Sequence, residues 1–191
     1  RPFISYIPME CLCYLVKATM MSLIRRLKII LWTLKETFER ALSTAFQFGN
    51  KILVEEAITG KEVECAVLEN ECIRASIVGE IIPKQEFYSY NAKYLNADGA
   101  ILLIPAAIDK NISEEIREVA VKAYKTICCE GMARIDFFLT KYNQFVLNEL
   151  NTLPEFTEIS MYPKLWEHTG ISYKDLITKL IELALQKKIT I

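Results

Sequence analysis

The segment Gly131-Met132-Ala133-Arg134-Ile135-Asp136-Phe137-Phe138, followed by Phe145-Val146-Leu147-Asn148-Glu149-Leu150-Asn151-Thr152-Leu153-Pro154, constrains this chain most. It sets an arginine, two carboxylates and an amide into two strand-like runs. Side chains alternate faces along a strand, so Arg134 and Asp136 share one face, as do Glu149 and Asn151 on the next strand. The link Thr140-Lys141-Tyr142-Asn143 is short and polar, which predicts a hairpin that brings Asp136 roughly opposite Glu149. Two carboxylates held that close repel, and one takes up a proton unless a cation sits between them. Magnesium suits such a place: it takes hard oxygen ligands, usually one or two carboxylates plus substrate phosphates, and Asn151 adds a neutral carbonyl oxygen. Arg134 on the same face would hold phosphate oxygens. The same spacing equally serves an amphipathic hairpin whose polar face is in water.

A chain of 191 residues can bury a sizeable core, as one domain or two small ones. Its formal net charge of -1 gives no electrostatic case for nucleic acid. No Gly/Ser linker, repeat or single-sign charge block divides it. The six cysteines (Cys11, Cys13, Cys65, Cys72, Cys128, Cys129) form no C-x-x-C pair, and His168 is far from all of them in sequence. They read as buried reduced thiols in a cytoplasmic protein rather than as a zinc site. Cys128 and Cys129 are adjacent, where a bridge would be strained. His168, beside Trp166, reads as a packing or capping residue. The chain opens at Arg1, so it is expected to be part of something longer. Residues 3–34 are very apolar, but Pro8, Glu10, Lys17, Arg25, Arg26 and Lys28 leave no uninterrupted apolar run of about 18, so no membrane span is expected.

Apolar positions at helical spacing over residues 20–47 predict one or two helices, ended by Gly49-Asn50. Residues 52–57, 63–68 and 72–78 are short β-rich runs in the pattern of an antiparallel meander. Residues 83–105 carry three tyrosines and a phenylalanine with little periodicity, and connections of that length are usually functional or disordered. Asn111-x-x-Glu114 predicts a capping box for a helix to about Cys128, and Ser172-x-x-Asp175 for another to about Gln186. Residues 173–185 read as a core-facing amphipathic helix. A helix between strands, followed by a hairpin, gives an α+β domain with a central antiparallel sheet flanked by helices.

Several further motifs lie in order along the chain: Ile52-Leu53-Val54-Glu55-Glu56, Glu62-Val63-Glu64-Cys65-Ala66-Val67-Leu68, Gly79-Glu80-Ile81-Ile82-Pro83 and Glu86-Phe87-Tyr88-Ser89-Tyr90-Asn91-Ala92-Lys93-Tyr94. After the two strands already described comes Ile159-Ser160-Met161-Tyr162-Pro163-Lys164-Leu165-Trp166. In order and spacing this resembles the C-terminal, ATP-grasp part of D-alanine-D-alanine ligases, densely from about Phe46 onward. The resemblance implies that residues 1–50 are a divergent remnant of the ATP-grasp small subdomain and residues 51–191 the C-terminal domain carrying the metal and substrate site. It implies ATP as co-substrate, with two Mg2+ (or Mn2+) ions held by Asp136, Glu149 and Asn151, and Arg134 stabilising the acyl phosphate and tetrahedral intermediate. Glu55, Glu56, Ala57 and Ile58 would meet the adenine edge, Glu62 the ribose, and Lys17 the ATP. Lys93 and Tyr94 would ride a lid, in the form seen in ligases that make the D-alanyl-D-alanine dipeptide of peptidoglycan synthesis. Ser160 and Met161 match positions that contact the second D-alanine. Family ligases are commonly homodimers.

Two departures stand against these matches. Met20-Met21-Ser22-Leu23-Ile24-Arg25-Arg26, after the strand bearing Lys17, contains no glycine where the family has a glycine-rich phosphate loop. Glu155 stands where the family has glycine, at a turn near the acceptor carboxylate, and a carboxylate there would crowd and repel that substrate. The given residues are not expected to include the family's amino-terminal domain. The expectation is a ligase fold that is weakly active or inactive by itself, the alternative being a nucleotide-binding or self-association module.

Overall fold

A strand whose neighbours bury both of its faces needs apolar residues on both, and residues 63–68 supply them with a single charge, Glu64. A computed structural model describes residues 14–18, 27–31, 35–47, 49–56, 58–69, 72–83 and 100–186, which fall into two compact units, Arg1–Thr59 and Gly60–Ile191. Cys11, Cys13, residues 20–26, Ala57, Lys93 and Tyr94 lie outside the described residues.

In the first unit β1 (Tyr14–Ala18) pairs antiparallel with both β2 (Leu27–Leu31) and β3 (Ile52–Glu56). Helix α1 (Lys35–Phe46) buries Ala41 and Ala45, one turn apart, against Ile52 and Val54. Among the described residues, the helical expectation over residues 20–47 holds for Lys35–Phe46 and fails for Leu27–Leu31, while residues 20–26 and 32–34 lie outside them. Leu27-Lys28-Ile29-Ile30-Leu31 is too short and too apolar for periodicity to separate strand from helix, and pairing with β1 makes it a strand. Because β3 also bonds to β1, it belongs to the first unit, which runs to Thr59.

The second unit runs β4 (Lys61–Glu69), β5 (Ile73–Pro83), β6 (Ala100–Leu103), α2 (Lys110–Thr126), β7 (Met132–Leu139), β8 (Phe145–Asn151), α3 (Met161–His168) and α4 (Tyr173–Gln186). Its five strands form one antiparallel sheet in the order β6-β5-β4-β7-β8, the α+β architecture read from the sequence. On one face Val63, Cys65 and Val67 of β4 join Ala133, Ile135 and Phe137 of β7 against Ile116, Ala120 and Tyr124 of α2. On the other, Ala66 and Leu68 meet Met161, Tyr162, Leu165 and Trp166 of α3 and Leu176 of α4. Each large apolar side chain buried this way contributes roughly 1.5–3 kcal/mol. The Tyr162 hydroxyl donates to the Val67 carbonyl at 3.0 Å, pinning α3 to the central strand.

Local signals are realised with small shifts. Ser172 Oγ accepts from the Asp175 amide at 3.1 Å and donates to the Asp175 carboxylate at 2.7 Å, the capping expected for α4. Helix α2 instead takes Asp109 as its cap, accepting from the Asn111 amide at 2.7 Å, while Glu114 pairs with Arg117 at 2.8 Å. The buried-thiol reading holds for Cys65 and fails for Cys72 and Cys128, which are exposed; Cys128, with φ 51°, lies just past the end of α2. His168 is exposed, with Nδ1 2.9 Å from the Lys164 carbonyl in the last turn of α3.

Two glycines allow close approach of the elements. A Cβ on Gly60 would lie 2.4 Å from the Leu139 carbonyl oxygen, whereas one on Gly79 would meet only side-chain ends, Leu165 Cδ2 at 2.9 Å and Met161 Sδ at 3.0 Å. Urea unfolding is therefore expected to show Gly60→Ala destabilised by about 1–3 kcal/mol, and Gly79→Ala by less, because side chains give way more readily than backbone. Burial pushes the Cys65 thiol from 9.0 up to about 12, against the lowering influence of Ser76 and Arg117, and burial likewise raises Tyr162. Both groups ionise more readily in the unfolded chain. Stability is thus complete below the unfolded thiol value and is lost as pH rises from about 9 toward 12. The urea midpoint should fall over that window, and less steeply in Cys65→Ala.

Candidate metal and phosphate site

The hairpin closes through Thr140, whose amide donates to the Gln144 carbonyl at 2.8 Å, and through Asn143, which takes φ 59°. Asparagine tolerates that left-handed conformation better than most residues. From the turn the register runs Leu139↔Phe145, Phe138↔Val146, Phe137↔Leu147 and then shifts, so that Asp136 faces Glu149 and Arg134 faces Asn151. The shift leaves Asn148 as an extra residue. Without this bulge Asp136 would face Asn148, and Glu149 would not be its partner. Bulges of this kind re-aim side chains beside functional sites.

Arg134, Asp136, Glu149 and Asn151, named from spacing alone, are therefore brought together. A residue not singled out joins them. Glu64, on the central strand, is the cross-strand partner of Asp136, and its Oε2 lies 3.0 Å from Arg134 Nε. The available signal was a lone carboxylate within the apolar run of residues 63–68. Arg134 also grips Asp136 with two bonds, Nε to Oδ1 and Nη2 to Oδ2, both 2.8 Å. Side-chain exposure is 0% for Glu64, 3% for Asp136 and 12% for Arg134. Burial works to lower the Arg134 pKa, but the hydrogen bonds it donates to Asp136 and the charges of Glu64, Asp136 and Glu149 outweigh it and raise it above the ordinary value. The guanidinium is permanently charged.

Three carboxylates thus share one guanidinium, which leaves the patch with excess negative charge. Among the described residues no three His, Cys, Asp or Glu side chains stand ready-made as a metal cage. The donor set fits magnesium in another way. Asp136 and Glu149 face each other, Asn151 keeps a lone pair beyond the bond its Oδ1 accepts from the Leu153 amide at 3.2 Å, and substrate phosphates would complete the coordination.

The other residues read from the sequence are placed as follows. Glu62 is half-buried on β4, two residues before Glu64 and hence on the same face. Ser160 precedes α3, with its Oγ 2.7 Å from Thr157 Oγ1, and Met161 is buried in the core against Leu165 and Ile81. Glu155 is exposed. Lys17, in register with Leu53 and Lys28, belongs with Glu55 and Glu56 to the first unit, and Ile58 is half-buried on the segment before Gly60. No described helix is long and apolar enough to cross a membrane.

Residues 31–182 match the family described as D-ala D-ala ligase C-terminus. The D-alanine-D-alanine ligase of Oceanobacillus iheyensis is 55% identical over 153 residues, covering 80% of this chain and 42% of that enzyme. The chain thus spans less than half the length of this curated relative. The solved D-alanine-D-alanine ligase of Coxiella burnetii superposes with a TM-score of 0.74 at 36% identity, over 90% of this chain and 44% of that one. The ligase of Bacillus anthracis solved in complex with ATP gives a TM-score of 0.71 at 26% identity, over 91% and 54%.

Replacing Arg134 by methionine strands two buried carboxylates. Urea unfolding of Arg134→Met is expected to show a loss of about 3–5 kcal/mol, the usual result of removing one partner from a buried ion pair. A loss below about 1 kcal/mol would show that the triad adds little to the fold.

Proposed function

The chain belongs to the family of D-alanine-D-alanine ligase C-terminal domains, with the ATP-grasp fold of that family, and from that premise we propose that it forms the ATP-using part of a ligase joining two D-alanines for peptidoglycan synthesis in the cytoplasm. The observation that carries the reading is the cross-strand set of Asp136 opposite Glu149 and Arg134 opposite Asn151. In the proposed reaction the carboxylate of one D-alanine takes the terminal phosphoryl group of ATP, giving an acyl phosphate and ADP. The amine of a second D-alanine then attacks the acyl carbon and expels inorganic phosphate.

Asp136, Glu149 and Asn151 are the residues that would hold two magnesium or manganese ions. Bound there, the ions would offset charge on the ATP phosphates during in-line transfer. Arg134, fixed in its charged form, would donate to the phosphoryl oxygens and to the oxyanion of the tetrahedral intermediate. Lys17, Glu55, Glu56, Ala57, Ile58 and Glu62 would bind the nucleotide. Lys93 and Tyr94 would close over it and keep water from the acyl phosphate. Ser160 and Met161 would border the acceptor. The whole enzyme would work as a homodimer.

A second reading, a nucleotide-binding or self-association module without ligase activity, is favoured by Glu155 and by the lack of glycine in residues 20–26. Phosphate release from ATP separates the two. With magnesium and D-alanine, the purified chain is expected to release phosphate slowly, Asp136→Asn to release none, and Glu155→Gly to gain. If none of the three releases phosphate, the module reading stands.

A further inference from the structure

Arg134 Nε carries one hydrogen and faces two acceptors. It donates to Asp136 Oδ1 at 2.8 Å while Glu64 Oε2 stands 3.0 Å from the same nitrogen. Both Asp136 oxygens are taken by the guanidinium, the second through Nη2 at 2.8 Å, so a cation approaching Asp136 meets a positive charge already in place. The two carboxylates differ in position. Asp136 faces Glu149 on the edge strand β8, whereas Glu64 lies one strand inward, opposite Gly79 on its other side, with no exposure.

We propose that Glu64 is a positioning residue, which holds Arg134 in the site by its Nε when a divalent cation takes Asp136. This rests on the metal-binding reading above. The same nitrogen turns its hydrogen from Asp136 to Glu64, so the buried guanidinium keeps an anionic acceptor throughout. Nη2, released from Asp136, becomes available to phosphate oxygens. Without Glu64, Arg134 is left with Asp136 and Glu149, both read as cation ligands, and competes with the cation for them. Carboxylates that orient a metal site from outside its coordination sphere typically change affinity about ten- to a hundredfold when replaced.

The test titrates Mn2+ alone into the purified full chain, following the electron paramagnetic resonance signal of the free ion, with folding checked by circular dichroism. Native chain is expected to bind and Asp136→Asn not to. Glu64→Gln and Glu64→Asp should both weaken binding by about ten- to a hundredfold, the aspartate because it keeps the charge but withdraws it from Nε. If glutamine does not fold, the aspartate variant carries the comparison. In nuclear magnetic resonance the Arg134 Nε–H signal should persist in native chain at saturating Mg2+ and be lost in Glu64→Asp. Binding as tight in both variants as in native chain would overturn the proposal, as would native-like binding in Glu64→Asp alone, which would mean that charge suffices. Loss of the native Nε–H signal with Mg2+ would overturn it as well. Native chain that binds no Mn2+ would overturn the metal reading itself, and the proposal with it.

Discussion

A carboxylate in the middle of a strand covered on both faces must be neutralised from within the sheet. Glu64 occupies that place on β4, and Arg134 on the adjacent strand supplies the cation. Isolated, a buried charge of this kind costs several kcal/mol. The pair ties the charge of the central strand to the register of β7: a slip of one residue would turn Arg134 to the α2 face and present Ala133 or Ile135 to the charge. The dry contacts with α2 and α3 stabilise the sheet, but they are non-directional. A slip of one residue would also turn Ala133, Ile135 and Phe137 out of the core beneath α2, so the apolar alternation and the ion pair specify the same register.

The same constraint divides the α3 face of the sheet into two parts. Ala66 and Leu68 at one end of β4 lie under α3 and α4, with Tyr162 bonded to the Val67 carbonyl. At the other end Glu62 and Glu64 continue the same face as a polar patch joined by Arg134, Asp136, Glu149 and Asn151. Gly79, opposite Glu64, lets Leu165 and Met161 of α3 come close enough to wall the patch on that side. An apolar platform thus ends in a cluster of charges whose excess of carboxylates matches a divalent cation, the partner proposed for it.

Much of this was legible because it depends on local pattern. Alternation along residues 132–139 and 145–151 places Arg134 with Asp136 and Glu149 with Asn151 on one face of each strand, and the polar turn makes the two strands neighbours. The capping of α4 by Ser172 was legible for the same reason. Of the one or two helices expected over residues 20–47, the described residues contain Lys35–Phe46, whereas Leu27-Lys28-Ile29-Ile30-Leu31 has too little periodicity to choose and is made a strand by pairing with β1. The buried-thiol reading failed for Cys72 and Cys128, since exposure at the end of an element depends on what packs nearby.

The amino-acid sequence by itself determined which residues share a face, where the chain turns, and that an arginine, two carboxylates and an amide lie on two successive strand runs, because each is encoded within a few residues by side-chain periodicity and turn chemistry. The order of motifs along the whole chain, not periodicity, carried the resemblance to D-alanine-D-alanine ligases. Only the tertiary structure decided that the extra residue Asn148 puts Glu149, rather than its neighbour, opposite Asp136. It also decided that Glu64, far away in sequence, shares the guanidinium of Arg134. Both depend on hydrogen-bonding between strands, where the pairing of distant segments, not any local preference, sets which side chains meet.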